Sequence, residues 1–207
     1  STQVFNFGQD SSFAGNKATA NANADGDGRG SFQYAPPSGY LALCSQNLSD
    51  PAITDGTENF NTVLYTGNAT GSRAITGVGF SPDFVWAKVR STTYPHFLAN
   101  SVVGSTKYLK SDSTDAEATD STYFTSFDSD GFTIGSSGGI NGNGETFVAW
   151  NWLAGTAFSN DASATGVGTI DSSGQVNTTA GFSIVSYTGT GSAGTIKHGL
   201  SSAPEIL

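Results

Sequence analysis

The chain has 207 residues, room for one or two domains, and carries a net charge of −9 from 8 basic and 17 acidic side chains. So few cations argue against a partner with a phosphate backbone and against docking on anionic lipid, so neither nucleic-acid binding nor membrane insertion is expected. No apolar run approaches the ~18–20 residues that a membrane-spanning helix needs. Charged residues are 12% and aromatic residues 12% of the chain, and Gly, Ser, Thr and Asn fill most of the rest. That is the composition of a turn-rich all-β protein with a neutral, hydroxyl-covered surface. The single cysteine, Cys44, rules out an intrachain disulfide and, in the run 41–44, reads as a small buried apolar residue.

Residues 1–55 differ from the remainder of the chain. Strands are expected at 4–8, 31–34 and 40–44, separated by a polar loop (10–29) and a Pro-Pro turn (36–39), with a linker at 45–56. Together they read as the C-terminal strands of a preceding β-domain. In the polar loop, Asn23, Asp25 and Asp27 set oxygen ligands at alternate positions, as calcium-binding loops do, which makes them candidate Ca2+ ligands. The EF-hand register fails, because its closing glutamate would fall on Phe32 or Tyr34.

From residue 59 the pattern is more regular. Strands are expected at 60–65, 75–78 and 84–89, with turns at 67–71 and 79–82. Within 84–90, Val85, Ala87 and Val89 share one face, and Phe84 and Trp86 lead the other. Residues 111–120 lack an apolar stripe and read as a loop or a single turn. Segments 124–127 and 132–134 flank Asp128-Ser-Asp130-Gly131, a hairpin with Gly131 in the left-handed position and the two aspartates as turn formers. Residues 146–153 are apolar on both faces, the mark of a central strand, and Trp150 and Trp152 are expected to close the core. Residues 156–180, rich in Ser, Thr, Gly and Ala, read as a linker or large surface loop.

Residues 181–207 then repeat the order of 59–90: an apolar strand, Tyr-Thr-Gly, a small-residue turn, a short strand and a proline. Tyr65 and Tyr187 lie 122 residues apart, as do Pro82 and Pro204. The expected fold is therefore all-β, with antiparallel β-sandwich modules of jelly-roll or concanavalin-like type in tandem: one complete at 56–155 and a second opening at 181–207. A chain that opens on Ser1 and stops inside a repeat is expected to be a segment of a longer polypeptide.

No catalytic residue or cofactor site is expected. Gly135-Ser-Ser137-Gly-Gly139 matches the nucleophile-elbow pattern G-x-S-x-G, but a poor helix start comes after it, and the only histidines, His96 and His198, occupy non-equivalent places in the two copies. The segment 189–194 matches G-x-G-x-x-G without a helix to hold a pyrophosphate. Tyr94, Tyr108 and Tyr123 are of a type that stacks on sugar rings, though such residues more often serve in a core or rim.

The string running from Asn6-Phe7-Gly8 to Asn47-Leu48 resembles the end of SPRY-like, concanavalin-type sandwiches in tail-fibre and surface proteins of marine bacteriophage virions. The strings at 76–91, 125–137 and 144–155 resemble a β-module that recurs in the same proteins. Asn100-Ser-Val-Val-Gly104 departs from the Asp-Ser-Val-Arg-Gly-like string usual there. The resemblance implies a non-enzymatic structural or adhesive role on an extracellular particle. It implies self-association, most often as a trimer, with other virion proteins and a host-surface glycan as partners. The alternative is a carbohydrate-binding module of a secreted bacterial protein.

Overall fold

The structure, a computed structural model, describes residue 5, residues 7–51 and residues 53–207. The chain divides into two compact units, Ser1–Ala52 and Ile53–Leu207.

In the first unit turns replace the expected strands. Of the strand expected at 4–8, residues 4 and 6 lie outside the described residues, and Phe5, Phe7 and Gly8 are not in a strand. Segments 31–34 and 40–44 contribute one isolated bridge, Asn23 to Phe32. The cause is local competition: Asp25 accepts from backbone amides, and Asn21 and Asn23 donate to backbone carbonyls, that strands would pair. Cys44 is half-buried rather than buried.

The second unit begins with β1 (Phe60–Thr66), β2 (Arg73–Thr76) and β3 (Phe84–Val89). Next come β4 (Phe97–Asn100), β5 (Lys107–Lys110), the two-residue β6 (Ala118–Thr119), β7 (Phe124–Asp128) and β8 (Gly131–Ile134). A one-turn helix, α1 (Gly138–Asn141), precedes β9 (Thr146–Trp152). The last elements are β10 (Thr156–Asn160), the short helix α2 (Ala162–Thr165), β11 (Ser172–Asn177) and β12 (Phe182–Tyr187). All strand pairs are antiparallel, in a six-stranded sheet ordered β1-β9-β3-β4-β5-β6 and two three-stranded sheets, β2-β8-β7 and β10-β11-β12.

The fold is all-β, and its core is a sandwich. The six-stranded sheet contributes Val63, Val85, Ala87, Phe97, Ala99, Tyr108 and Ala149, and the β2-β8-β7 sheet contributes Ile75, Phe124, Phe132 and Ile134. β9 is central, as expected, bonded to β1 on one edge and β3 on the other. The expectation for its tryptophans is corrected. Ala149 registers with Val63 and Ala87, all three buried in the core, so Val148, Trp150 and Trp152 point to the opposite, outer face. The inner face takes small residues because the rings of Phe97, Phe124 and Phe132 occupy that space.

The hairpin β7–β8 forms as expected. Gly131 has φ +147°, and a side chain there would run into the carbonyl of Ile75 on β2. The segment 156–180 is not a linker. It carries β10, α2 and β11, and β12 pairs with β11 along its whole length. At Gly174 the lack of a side chain is required by packing: the Ile184 carbonyl and the ring of Phe158 lie where one would sit. Of the expected second copy, β12 stands in the place of β1. Residues 188–207 carry no strand to match β2 and β3; there the Thr195 carbonyl accepts from the Thr169 and Ile170 amides instead.

Phe132 is fully buried against Phe124, whereas Leu64 on the outer face is 63% exposed. Phe132→Ala is expected to lower unfolding free energy by about 3–5 kcal/mol, and Leu64→Ala by no more than about 0.5 kcal/mol. Urea denaturation followed by tryptophan fluorescence measures both, and equal losses would contradict the assignment of faces.

Candidate functional site

The carboxylates act mainly as acceptors that hold loops. Asp83, nearly buried at the start of β3, accepts from Ser101 Oγ (2.8 Å) with one oxygen and from the Ala154 (2.9 Å) and Gly155 (2.7 Å) amides with the other. It thereby ties together the ends of β3, β4 and β9. Ser101 Oγ also bonds Gln175 of β11. Asp130 does not cap its own turn. It reaches across to the Gly79 (2.7 Å) and Gly77 (3.0 Å) amides, which hold its carboxyl below the usual carboxylate range. Asp128 accepts from Ser126 Oγ and Thr133 Oγ1 within its hairpin. The acidic residues Asp10, Asp55, Asp120 and Asp161 are each lowered by hydroxyl or amide donors two to four residues on.

The calcium candidates are arranged as a turn. Asp25 is buried; its Oδ1 accepts from the Asp27 (3.0 Å) and Arg29 (2.8 Å) amides, and its Oδ2 from the Ala42 amide and Asn47 Nδ2 (2.8 Å each). Asn23 turns its amide nitrogen toward the carbonyls of Asn21, Phe32 and Gln33, and Asp27 is exposed. The Ala42 amide above all, then Arg29, Asn47 and Asp27, hold the Asp25 carboxyl down to about 2 against the upward push of burial. Among the described residues no group of three or more His, Cys, Asp or Glu side chains could hold a metal ion.

Ser137 caps α1, its hydroxyl accepting from the Gly139 amide at 3.3 Å. A helical turn therefore does come after β8, contrary to the expectation of a poor helix start. Among the described residues neither histidine bonds Ser137: His96 Nδ1 accepts from Trp86 Nε1 (3.1 Å) on the outer face, and His198 Nδ1 accepts from the Leu200 amide. Segment 189–194 is irregular, with no helix after it. Asn141, fully buried, joins α1 to the β1–β2 turn through bonds to Asn68, Thr70, Arg73 and Gly135.

Tyr65, which sequence reasoning used only to mark the repeat, stacks on Phe147 at 5.1 Å and donates to the Ile140 carbonyl, with Arg73 over its ring. Burial raises its pKa. An open groove of about 330 Å³ lies at one end of the β10-β11-β12 sheet, lined by Ser159, Ser173, Ser186, Asp161 and Asp171. Both carboxylates there are tied to α2 through the Ala164 and Ala162 amides. Tyr108 and Tyr123 pack in and against the core, ring on ring at 4.5 Å, while Tyr94 is exposed.

The open aromatic surface lies elsewhere, on the outer face of the six-stranded sheet. Register places Phe60, Trp152 and Phe84 in one cross-strand row, and Thr62, Trp150, Trp86, Leu98 and Leu109 in the next. In the first row Phe60 and Phe84 flank Trp152 at 4.8 and 5.4 Å, and Phe182 of β12 covers it at 5.9 Å. In the second row Trp86 and Trp150 meet edge to face at 5.8 Å, both half-buried. The signal in the sequence was the parity of the tryptophans against Ala149.

A family model described as a domain of unknown function (DUF7483) matches residues 55–207, which span β1 to β12. No curated protein and no solved structure matches the chain.

The carboxylates make two outcomes measurable. Asp83→Ala removes three accepted bonds and leaves buried amides without a partner, and is expected to cost about 3 kcal/mol of stability. Asp83→Asn keeps an oxygen for the Ala154 and Gly155 amides and should cost less than half as much; equal losses in chemical denaturation would count against the pin. Asp25, depressed in the folded state, stabilises its unit above its ordinary value of 3.8 and loses that contribution as pH falls toward about 2. The Ala42 amide resonance should titrate with a midpoint near 2; a midpoint near 4 would show that the carboxylate does not hold it.

Proposed function

Because the chain belongs to the DUF7483 family over residues 55–207, it shares a domain whose name assigns no activity, and we propose that it is a structural and adhesive protein of a bacteriophage virion. It forms part of a tail fibre or related surface fibre that contacts the host cell. The observation that carries this reading is a division of labour in the side chains. Asp25, Asp83 and Asp130 bind the chain's own amides, while an aromatic row on the sheet surface faces outward. Such a surface supports contact rather than bond chemistry. The resemblance of 76–91 and 144–155 to modules of marine phage fibres supports the virion setting.

On this reading the sandwich units succeed one another in tandem, self-associate as a trimer, and meet other virion proteins and a host glycan at the particle surface. Few lysines guard the strand edges, which fits edges covered by neighbouring copies. A carbohydrate-binding module of a secreted bacterial protein is the second reading, favoured by the same Trp86–Trp150 pair.

Immunogold labelling of purified particles with antibody to this chain is expected to decorate fibres projecting from the virion. Sedimentation velocity of the purified protein should give a species of three copies. Label confined to the culture supernatant, with bare particles, would replace the virion reading with the secreted one.

A further inference from the structure

We infer that the second outer row of the six-stranded sheet is a glycan-binding platform, on which Trp86 and Trp150 stack against pyranose rings while Thr62 and His96 bond their hydroxyls. The inference rests on the adhesive reading above and names the ligand class and the residues.

β3 and β9 carry apolar side chains on both faces, the pattern of a sheet between two layers. One layer is the β2-β8-β7 sheet, across the core. On the other side, within the second unit, one corner is covered, where Phe182 lies over Trp152 and Phe84. The second row has no such cover: Thr62 and Leu109 at its ends are exposed, and Trp150, Trp86 and Leu98 between them are half-buried.

The extent of this face decides between occupants. Five strands at ~4.8 Å spacing make the second row roughly 19 Å long, and with the neighbouring row of Leu64, Val148 and Lys88 ~6.7 Å away the open face measures about 130 Å². A standing protein interface buries about 800 Å² on each partner, so a second copy is poorly matched to it. A short run of sugar rings fits its length and flatness.

The polar groups suit the same ligand. Trp86 Nε1 donates to His96 Nδ1, which fixes the indole and leaves Nε2 as the ring nitrogen available to a ligand. Among the described residues no group accepts from that nitrogen, and none bonds the Thr62 hydroxyl; a hydroxylated ligand supplies partners for both. No carboxylate stands in the row itself; Lys88 lies on one side of it, and the Asp112 carboxylate accepts from the His96 amide at 3.2 Å, a balance of charge that suits neutral sugars.

The test is affinity gel electrophoresis of the full chain through gels containing, in turn, a soluble β-glucan, an agar-type galactan, alginate and purified lipopolysaccharide. Retardation is expected in at least one of them. Trp86→Ala and Trp150→Ala should each weaken it at least about tenfold, Trp150→Phe should restore part of it, and Ser173→Ala on β11 should leave it unchanged. Urea midpoints within the wild-type range confirm that the variants are folded. Retardation in none of the gels, or retardation that both alanine variants keep, overturns the platform. A concentration-dependent dimer in sedimentation that Trp150→Ala abolishes overturns it in favour of a second copy. Particle labelling is read separately, so a fibre protein without this platform is distinguishable from a protein that is no fibre.

Discussion

β9 is hydrogen-bonded along both edges, and the rest of the sandwich depends on that. A strand so held has no freedom to slip, and its period of two assigns each side chain to a face. Ala149 points inward with Ala87 and Val63, leaving depth for the rings of Phe97, Phe124 and Phe132. Trp150 and Trp152 are then outward with Trp86 and Phe84. The closed core and the open aromatic surface are thus two sides of one register, and a substitution cannot move one tryptophan inward without turning the whole strand over.

A chain with 12% charged residues has little electrostatic attraction with which to order its loops. It uses side-chain hydrogen bonds to the backbone instead. Asp83 fixes the strand ends of the six-stranded sheet, Asp130 bridges the β7–β8 turn to the loop after β2, and Asn141 holds the β1–β2 turn against α1. Each reaches backbone amides or carbonyls distant in sequence, so the loops are held without exposed ion pairs that salt would screen. Only Lys107–Glu117 and Lys110–Asp115 are paired among the described residues, and both lie at the β5–β6 margin.

Where aromatic and β-branched residues alternate, the sequence is a good guide. β1, β3, β7, β8 and β9 fall within a residue or two of their expected positions, because burial on one face imposes the alternation. β10 and β11 escape a sequence reading because, apart from Phe158 and Val176, their side chains are small or polar, mostly Ser, Thr, Gly and Asn, the vocabulary of a linker. In the first unit the error is reversed: Phe32, Tyr40 and Leu41 give strand-like runs, but Asp25 and Asn23 bind the local backbone in turns. The outer platform is legible in part, since alternation alone places Phe84 and Trp86 opposite Val85. Size alone assigns the tryptophans of β9 inward; their parity against Ala149 assigns them outward.

Folding accounts for the two outer rows unequally. In the first, Phe60, Phe84, Trp152 and Phe182 enclose one another, and each ring pair adds about 0.5–1.5 kcal/mol beyond the area it buries. That cluster joins the β10-β11-β12 sheet to the sandwich and has a structural reason to be aromatic. The second row has the same residue types on the same strands, but among the described residues its indoles make ring contacts with each other and with His96 and with no covering ring from another sheet. Threonine or valine would serve pairing and twist at those positions without leaving apolar surface in water. Packing within the second unit therefore accounts for Trp152 and not for Trp86 and Trp150, and it is this difference between neighbouring rows of one sheet that sets the second row apart.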